Sequence, residues 1–508
     1  MAIAKEAWVS MLAVAVVTGV ALWFINAAVQ WWRLRQALNQ CAGAKIHPIF
    51  GTMLEHRGGG AGTLAYGKRY SAIDPLKPLR FCIGPFINFI ALRTPSDIKQ
   101  VVTMDAPKSP FIFKLMAPWL GPSSILIADG PIWRYMRTLL DPAFHRTLLT
   151  DYVTVMGQSS QPLIDKFEKI ATTTPDEAVD VMQHYALYTF DTLCRCAFNY
   201  ETNCQTNDDN KFCTAVTENS EVIIARAMNP LLASDVIFAL TPTGRRFRKT
   251  INYIHTVAQS IIDQRRENLK GMTIDDIAQH KRPSGRALFD FLDICLLSRD
   301  KDGNPAMTDD EIRDQCHTFL FAGHDTTTAA LSFVTHCLAK YPEHQEKVRA
   351  HVHHCLCVCW KPRGCIMSRI FSSCPLHGFL HPFAALQRYH THTHTHTHTH
   401  SLSLSLSLSL SLSLSLTCTH AQPHTHALTH NSPRRRRARV DQYSFMPFSV
   451  GNRNCIGYNF ALNEVRTAMC QLLRRFKFVD IGHEPILQNK LVLKSANGVK
   501  VKIQKLDN

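Results

Sequence analysis

Residues 308–340 carry a start, a periodicity and a stop that together predict one long helix. Thr308 and Glu311 have the spacing of a capping box, in which each side chain accepts the other's backbone N–H. Apolar residues then recur at Ile312, Cys316, Phe319, Leu320 and Ala322. Pro342 ends the run, because the residue before a proline avoids the α region. Such a helix is about 45–50 Å long and crosses a whole domain, so the rest of the fold must be arranged around it. Its centre, Ala322-Gly323-His324-Asp325-Thr326-Thr327-Thr328, is a poor helix former. Glycine costs about 1 kcal/mol relative to alanine, and threonine hydroxyls bond carbonyls three or four residues back and bend a helix. A buried helix that is weakest in its middle reads either as a site or as a plain kink.

A second constraint lies near the C-terminus, in Pro447-Phe448-Ser449-Val450-Gly451-Asn452-Arg453-Asn454-Cys455-Ile456-Gly457. Beyond it Phe460, Ala461, Val465, Ala468, Met469, Leu472 and Leu473 trace one helical face, which places Cys455 just before a helix. A helix N-terminus favours the thiolate of a cysteine. Gly451 and Gly457 let the backbone approach something large and flat, and Arg453 offers a forked cation to a carboxylate. A thiolate, glycine clearance and an arginine suit a haem with its propionates. The alternative, a buried structural cysteine, has weight because the chain has 17 of them. Five features at fixed spacing outweigh it.

Ala7 to Trp32 contains no charged residue and would be about 39 Å long as a helix, enough to cross a bilayer core with some tilt. Trp31 and Trp32 close the run, and Arg33 and Arg35 follow, which predicts that the remainder faces the cytosol. A cleaved signal peptide is the alternative, but the run is long for one. The net charge of +16 implies an anionic membrane surface or acidic partners. No interleaved basic and aromatic pattern supports a nucleic-acid partner. The cysteines are scattered and read as mostly reduced thiols on the cytosolic side.

Phe448, Gly451, Arg453, Cys455 and Gly457 resemble the F-x-x-G-x-R-x-C-x-G signature of cytochromes P450. Ala322 to Thr327 is similar to that family's A-G-x-D-T-T motif, and Trp133 and Arg137 to its W-x-x-x-R motif. Trp119-Leu120-Gly121 and Pro142-Ala143-Phe144-His145 carry the same likeness, and Asp290-Phe291-Leu292-Asp293-Ile294 with Asp302-Gly303 resembles family 4, the fatty-acid ω-hydroxylases. The resemblance implies a mainly α fold with small β-sheets behind an N-terminal transmembrane helix. It implies haem b (iron protoporphyrin IX) with Cys455 as axial iron ligand. Trp133, Arg137, Ala322, Phe448, Gly451, Arg453 and Gly457 would contact the cofactor, with Arg137 on a propionate. Asp325 and Thr326 would be the acid–alcohol pair that relays protons. Many animal relatives carry a glutamate at the position of Ala322 that esterifies the haem; alanine cannot, so covalent attachment there is not expected. Without a glycine-rich dinucleotide fingerprint in the chain, electrons would come from NADPH through a separate cytochrome P450 reductase. The implied setting is the endoplasmic reticulum membrane, single-pass, with a small hydrophobic substrate.

The resemblance breaks between residues 351 and 440. His351 to Cys359 reads His-Val-His-His-Cys-Leu-Cys-Val-Cys, residues 391–400 are five Thr-His pairs, residues 401–416 are eight Ser-Leu pairs, and Arg434 to Arg437 follow. Translated CA and CT dinucleotide repeats give these pairs, so the segment reads as a retained intron or a faulty gene model and predicts disorder. Alternating histidines or the Cys-x-Cys-x-Cys run could instead bind zinc or copper. The segment stands where the family carries an E-x-x-R helix that braces the cysteine loop. Glu346 and Arg349 have that spacing but sit too soon after Pro342 to serve. The expected organisation is an anchor at 1–32, a catalytic domain from 33–350 and 441–508, and a low-complexity segment at 351–440. Near the C-terminus, Leu491 to Lys494 and Val499 to Ile503 alternate as strands, with Asn497-Gly498 as a hairpin turn. Three functions remain open: a haem monooxygenase acting on a fatty acid or related lipid, an inactive membrane-tethered splice product without haem, and a His-rich metal-binding membrane protein.

Overall fold

A computed structural model describes residues 2–56, 59–85, 87–104, 106–270, 290–359 and 442–507. The described residues form a mainly helical body with three small antiparallel sheets, as expected. Strands β1 (Leu79–Ile83) and β2 (Ile87–Ala91) pair near the N-terminal side. Strands β3 (Val179–Asp180), β4 (Phe476–Val479) and β7 (Lys500–Lys505) form a sheet in the order β3-β7-β4. Strands β5 (Leu487–Asn489) and β6 (Leu493–Ser495) form a two-stranded ribbon.

The central helix runs from Asp309 to Lys340, capped as its sequence demands. The Thr308 hydroxyl accepts the Glu311 N–H at 3.3 Å, and the Glu311 carboxylate accepts the Thr308 N–H at 2.8 Å. Acidic residues fill its first turn and Lys340 its last, complementing the helix dipole. Tyr341 breaks it, and a new helix starts at Pro342. Leu320, Leu331, Ser332 and Thr335 are wholly buried, so the helix forms the axis of the core. Helices Val181–Ala197, Lys211–Ala227, Pro242–Leu269 and Tyr458–Leu473 pack around it. The Asp290-Phe291-Leu292-Asp293 motif gains a structural role here. Asp290 and Asp293 form a capping box for helix Phe291–Leu297, and Asp293, wholly buried, receives a bidentate pair from Arg265 at 2.7 and 2.8 Å.

The final helix, Tyr458–Leu473, buries Phe460, Ala461, Ala468, Met469, Leu472 and Leu473. Arg349 caps its far end, donating to Leu473 O at 2.9 Å and to Phe476 O at 3.2 Å. The first bond satisfies a carbonyl that the helix C-terminus leaves open, and the second ties the helix end to the start of β4. The Glu346–Arg349 pair therefore serves the end of this helix and not the cysteine loop.

The C-terminal hairpin expectation needs correction. Strand β6 turns back onto β5, whereas β7 pairs with β3 and β4. Asn497-Gly498 links two sheets instead of closing a hairpin. Asn497 Oδ1 accepts the Ile486 N–H at 2.7 Å, its amide donates to Glu484 O at 3.1 Å, and Gly498 holds φ at +77°.

The first helix, Ala2–Asn39, contains the uncharged run 7–32. Among the described residues no helix is long and apolar enough to cross a membrane. Val14, Val16, Val17, Trp23 and Phe24 all face outward. The expected low-complexity segment begins at 351, but the helix from Pro342 continues to Cys359. The remainder of that segment, with its Thr-His and Ser-Leu repeats and its arginine run, lies outside the described residues, as do the side chains on which a metal site in it would rest.

Candidate functional site

The cysteine loop is held by its own backbone. Cys455 N–H donates to Phe448 O at 2.9 Å, and Asn454 N–H to Gly451 O at 3.1 Å. Gly451 holds φ at +81°, a conformation that L side chains rarely adopt, and a Cβ there would meet Val102 O at 3.1 Å. Cys455 is buried, and the helix begins three residues later behind the cap Gly457. Phe448, Cys455, Ala461 and Leu462 share one buried cluster with Ala330 of the central helix, so the loop is anchored to the axis of the fold.

Helix Gly130–Leu140 presents Trp133 and Arg137 to this loop. The Arg137 guanidinium donates to Asn454 O at 2.8 Å and to Asn454 Oδ1 at 3.0 Å, gripping the residue before the cysteine, and its Nε bonds Asp141 at 2.8 Å. Arg453 lies over the Trp133 ring at 3.7 Å, donates to Ala128 O at 3.2 Å and ion-pairs with Asp129. Stacked and forked, it makes the contacts a guanidinium favours. Asp129 sits below the usual carboxylate range. Burial pushes its carboxyl up, but N–H bonds from Lys108 and Gly130 and the charges of Arg453 and Lys108 outweigh it.

Lys108 joins this cluster without any sequence signal, being one lysine in a loop. Its N–H donates to Asp129 at 2.7 Å, and its ammonium reaches Leu126 O and lies 5.2 Å from the Phe113 ring centroid. Burial and then the Arg453 charge pull its pKa down to about 7. Lys108, Arg137 and Arg453 thus converge beside the loop against two carboxylates, Asp129 and Asp141. Three basic side chains beside the buried Cys455 suit an anionic group.

The middle of the central helix shows the hydroxyl bonds its sequence predicts. Thr326 donates to Ala322 O at 2.9 Å, Thr327 to Gly323 O at 2.8 Å and Thr328 to His324 O at 2.8 Å. Gly323 packs closely against the buried Leu193, whose methyls a Cβ there would meet at 2.7 Å and have to displace. His324 is buried beside the rings of Phe190 and Phe212 with Nδ1 bonded to Leu320 O at 2.6 Å. Ala322 is buried and carries no group able to bond a cofactor covalently. Asp325 forms a buried ion pair with Lys494 of β6 at 2.5 Å, a partner far away in sequence. Lys494 also donates to Thr217 at 2.7 Å. Behind this turn, Glu464 of the final helix is wholly buried beside Thr327, and burial raises its carboxyl well above the usual range. It carries no signal in the signature that singled out Cys455.

Comparison with protein-family models matches Cytochrome P450 over residues 43–357 and 419–503. The chain belongs to the cytochrome P450 family. It is 32% identical over 451 residues to "Cytochrome P450 4X1" of Homo sapiens, covering 84% of each chain. It is 30% identical over 437 residues to "Cytochrome P450 4F2" of Homo sapiens and 29% identical over 446 residues to "Leukotriene-B4 omega-hydroxylase 3" of Mus musculus, covering 84% of this chain and 82% of each relative. Family membership makes this P450 a haem monooxygenase that uses haem b and takes electrons from NADPH through a reductase. The residues present fit that cofactor: one buried cysteine on a glycine-shaped loop, with three cations and a tryptophan beside it.

Proposed function

We propose that the chain hydroxylates a fatty acid or related lipid by R–H + O₂ + NADPH + H⁺ → R–OH + H₂O + NADP⁺. The observation that carries this is the grip of Arg137 on Asn454, which fixes the backbone next to Cys455 inside a family-matched loop. Cys455 is assigned as the axial ligand, with Phe448, Gly451 and Gly457 shaping its loop. Trp133, Arg137 and Arg453, joined by Lys108, are assigned to the propionates. Bound haem supplies the activation of O₂ at its iron, which a thiolate ligand promotes. Asp325 and Thr326 are assigned to proton delivery, and Ala322 leaves the cofactor attached non-covalently. The lipid substrate is supported by a mouse relative named as a leukotriene-B4 ω-hydroxylase. Arg33 and Arg35 after an uncharged run, with Val14, Val16, Val17, Trp23 and Phe24 outward, support an anchor in the endoplasmic reticulum membrane with the catalytic domain in the cytosol. The reductase would meet it there. Residues 33–350 and 441–508 are assigned to the catalytic domain.

The test supplies the purified full chain with reductase, NADPH, ¹⁸O₂ and dodecanoic acid. The proposal predicts a hydroxylated acid carrying one ¹⁸O, absent in Cys455→Ala. A haem-loaded chain that consumes NADPH but converts none of a panel of lipids would refute the substrate class.

A further inference from the structure

We propose that Arg80 is a positioning residue that joins the first helix to the catalytic body as one rigid unit, and that the turn at Pro48, Ile49 and Phe50 is thereby held against the lipid surface. The inference rests on the membrane-anchor proposal and adds to it which face of the body meets the bilayer. Arg80 stands on β1 and is buried. Its guanidinium donates to Leu38 O at 2.7 Å, Cys41 O at 3.0 Å, Gly43 O at 3.1 Å and Ala44 O at 2.9 Å. Leu38 lies in the last turn of helix Ala2–Asn39, where open carbonyls and the negative end of the helix dipole favour a cation. The backbone repeats the tie. Arg80 N–H donates to Ala42 O at 2.9 Å, and Ala42 N–H to Pro78 O at 2.9 Å. The Tyr66 hydroxyl completes it, accepting the Ala44 N–H at 3.0 Å and donating to Arg80 O at 2.9 Å. A connection with its carbonyls bonded in this way is a joint and not a hinge.

The same helix end touches two turns of the body. The Trp31 indole N–H donates to Pro85 O at 3.2 Å. Arg35, 4.7 Å from the centre of the Trp31 ring, donates to Pro48 O at 3.4 Å. On the anchor reading, a tryptophan and an arginine that close the uncharged run mark the depth of the membrane–water interface. Pro85 and Pro48 are then held at that depth. Around Pro48 the chain makes a tight, ordered turn. His47 and Gly51 exchange backbone bonds at 2.7 and 2.9 Å, and His47 Nδ1 accepts the N–H groups of Ile49 and Phe50 at 3.2 Å. This turn presents Ile49, 65% exposed, and Phe50, 47% exposed. Bulky apolar side chains held outward at interface depth fit the acyl chains of a bilayer. Lys45, three residues before Pro48, and Arg33 are exposed and suit its phosphates.

The test reconstitutes the full chain in phosphatidylcholine–phosphatidylserine vesicles that contain a phosphatidylcholine with a photoreactive acyl chain. Sites of attachment are read by mass spectrometry, which needs no haem. Wild type should be labelled within residues 7–32 and at Ile49 and Phe50. Arg80→Met should keep the labelling of 7–32 and lower that of Ile49 and Phe50 by about tenfold or more, since losing one charged hydrogen bond already shifts an equilibrium by that order. Arg80→Lys should recover only part of it, because an ammonium lacks the fork that reaches this row of carbonyls. Tyr66→Phe removes a single hydroxyl from the joint and should lower the labelling by about threefold, so the inference stays testable if Arg80→Met does not fold. Labelling within 7–32 with none at Ile49 and Phe50 in wild type, or equal labelling of these two residues in wild type and the folded variants, overturns the inference. No labelling within 7–32 overturns the membrane proposal beneath it.

Discussion

Replacing Arg137 tests the cysteine loop at the point where the structure says it is held. Arg137→Ala removes the bonds to Asn454 O and Asn454 Oδ1 and leaves the backbone before Cys455 held by its internal turns and by the contacts of Arg453 with Trp133, Ala128 and Asp129. A hydrogen bond from a charged donor contributes about 1.5–3 kcal/mol. The Arg137 side chain is 19% exposed, so the lower end applies. The two bonds then amount to about 3 kcal/mol, or about a hundredfold in the equilibrium between the ordered and loosened loop. The third bond, to Asp141, adds little because Asp141 is largely exposed. The assay is transfer of haem from the holoprotein to an excess of a haem-free globin, followed by absorbance. Haem should leave Arg137→Ala about 30- to 100-fold faster than wild type. Arg137→Lys should recover only part of the loss, because an ammonium cannot make both bonds in one plane. Equal rates in Arg137→Ala and wild type would refute the claim that this arginine secures the loop.

Three other outcomes follow from the same physical picture. Arg265→Met strands the wholly buried Asp293 carboxylate without its bidentate partner, and should cost about 3–5 kcal/mol in denaturant unfolding. Lys108, whose pKa falls from 10.5 to about 7 in the folded chain, binds fewer protons folded than unfolded between those values. Stability of the haem-free chain should therefore rise with pH from about 7 to about 10.5, and Lys108→Met should flatten that rise in thermal unfolding at a series of pH values. The membrane proposal predicts that the full chain stays in the pellet after alkaline carbonate washing and that removal of residues 1–32 frees it; release of the full chain would contradict the anchor.

Much of the scaffold was readable because its signals are local. The Thr308–Glu311 box and Pro342 set both ends of the central helix, and the apolar face after Gly457 set the final one. The hairpin misreading shows the limit of such signals. Asn-Gly specifies a turn, but the partner of the strand that follows it was decided by pairing with β3 and β4. The same limit hid Lys494 and Lys108. Each is an ordinary lysine in its own neighbourhood, and its role comes from residues brought beside it by folding, Asp325 and Thr217 for one and Asp129 and Arg453 for the other. Asp325 itself was legible, but its ion pair was not. Glu464 stands one helical turn beyond Ala461 on the final helix, and only its burial in the folded core, against a lowering bond from Thr327, raises its carboxyl well above the usual range.

The most direct measurement is the carbon monoxide difference spectrum of the dithionite-reduced full chain. A strongly red-shifted Soret band that vanishes in Cys455→Ala is the predicted result, and it would place a thiolate from Cys455 on haem iron despite the low-complexity segment. No haem signal from the full chain, with a signal restored when a relative's corresponding segment replaces 351–440, would contradict the account and leave the chain as a defective reading of a monooxygenase gene.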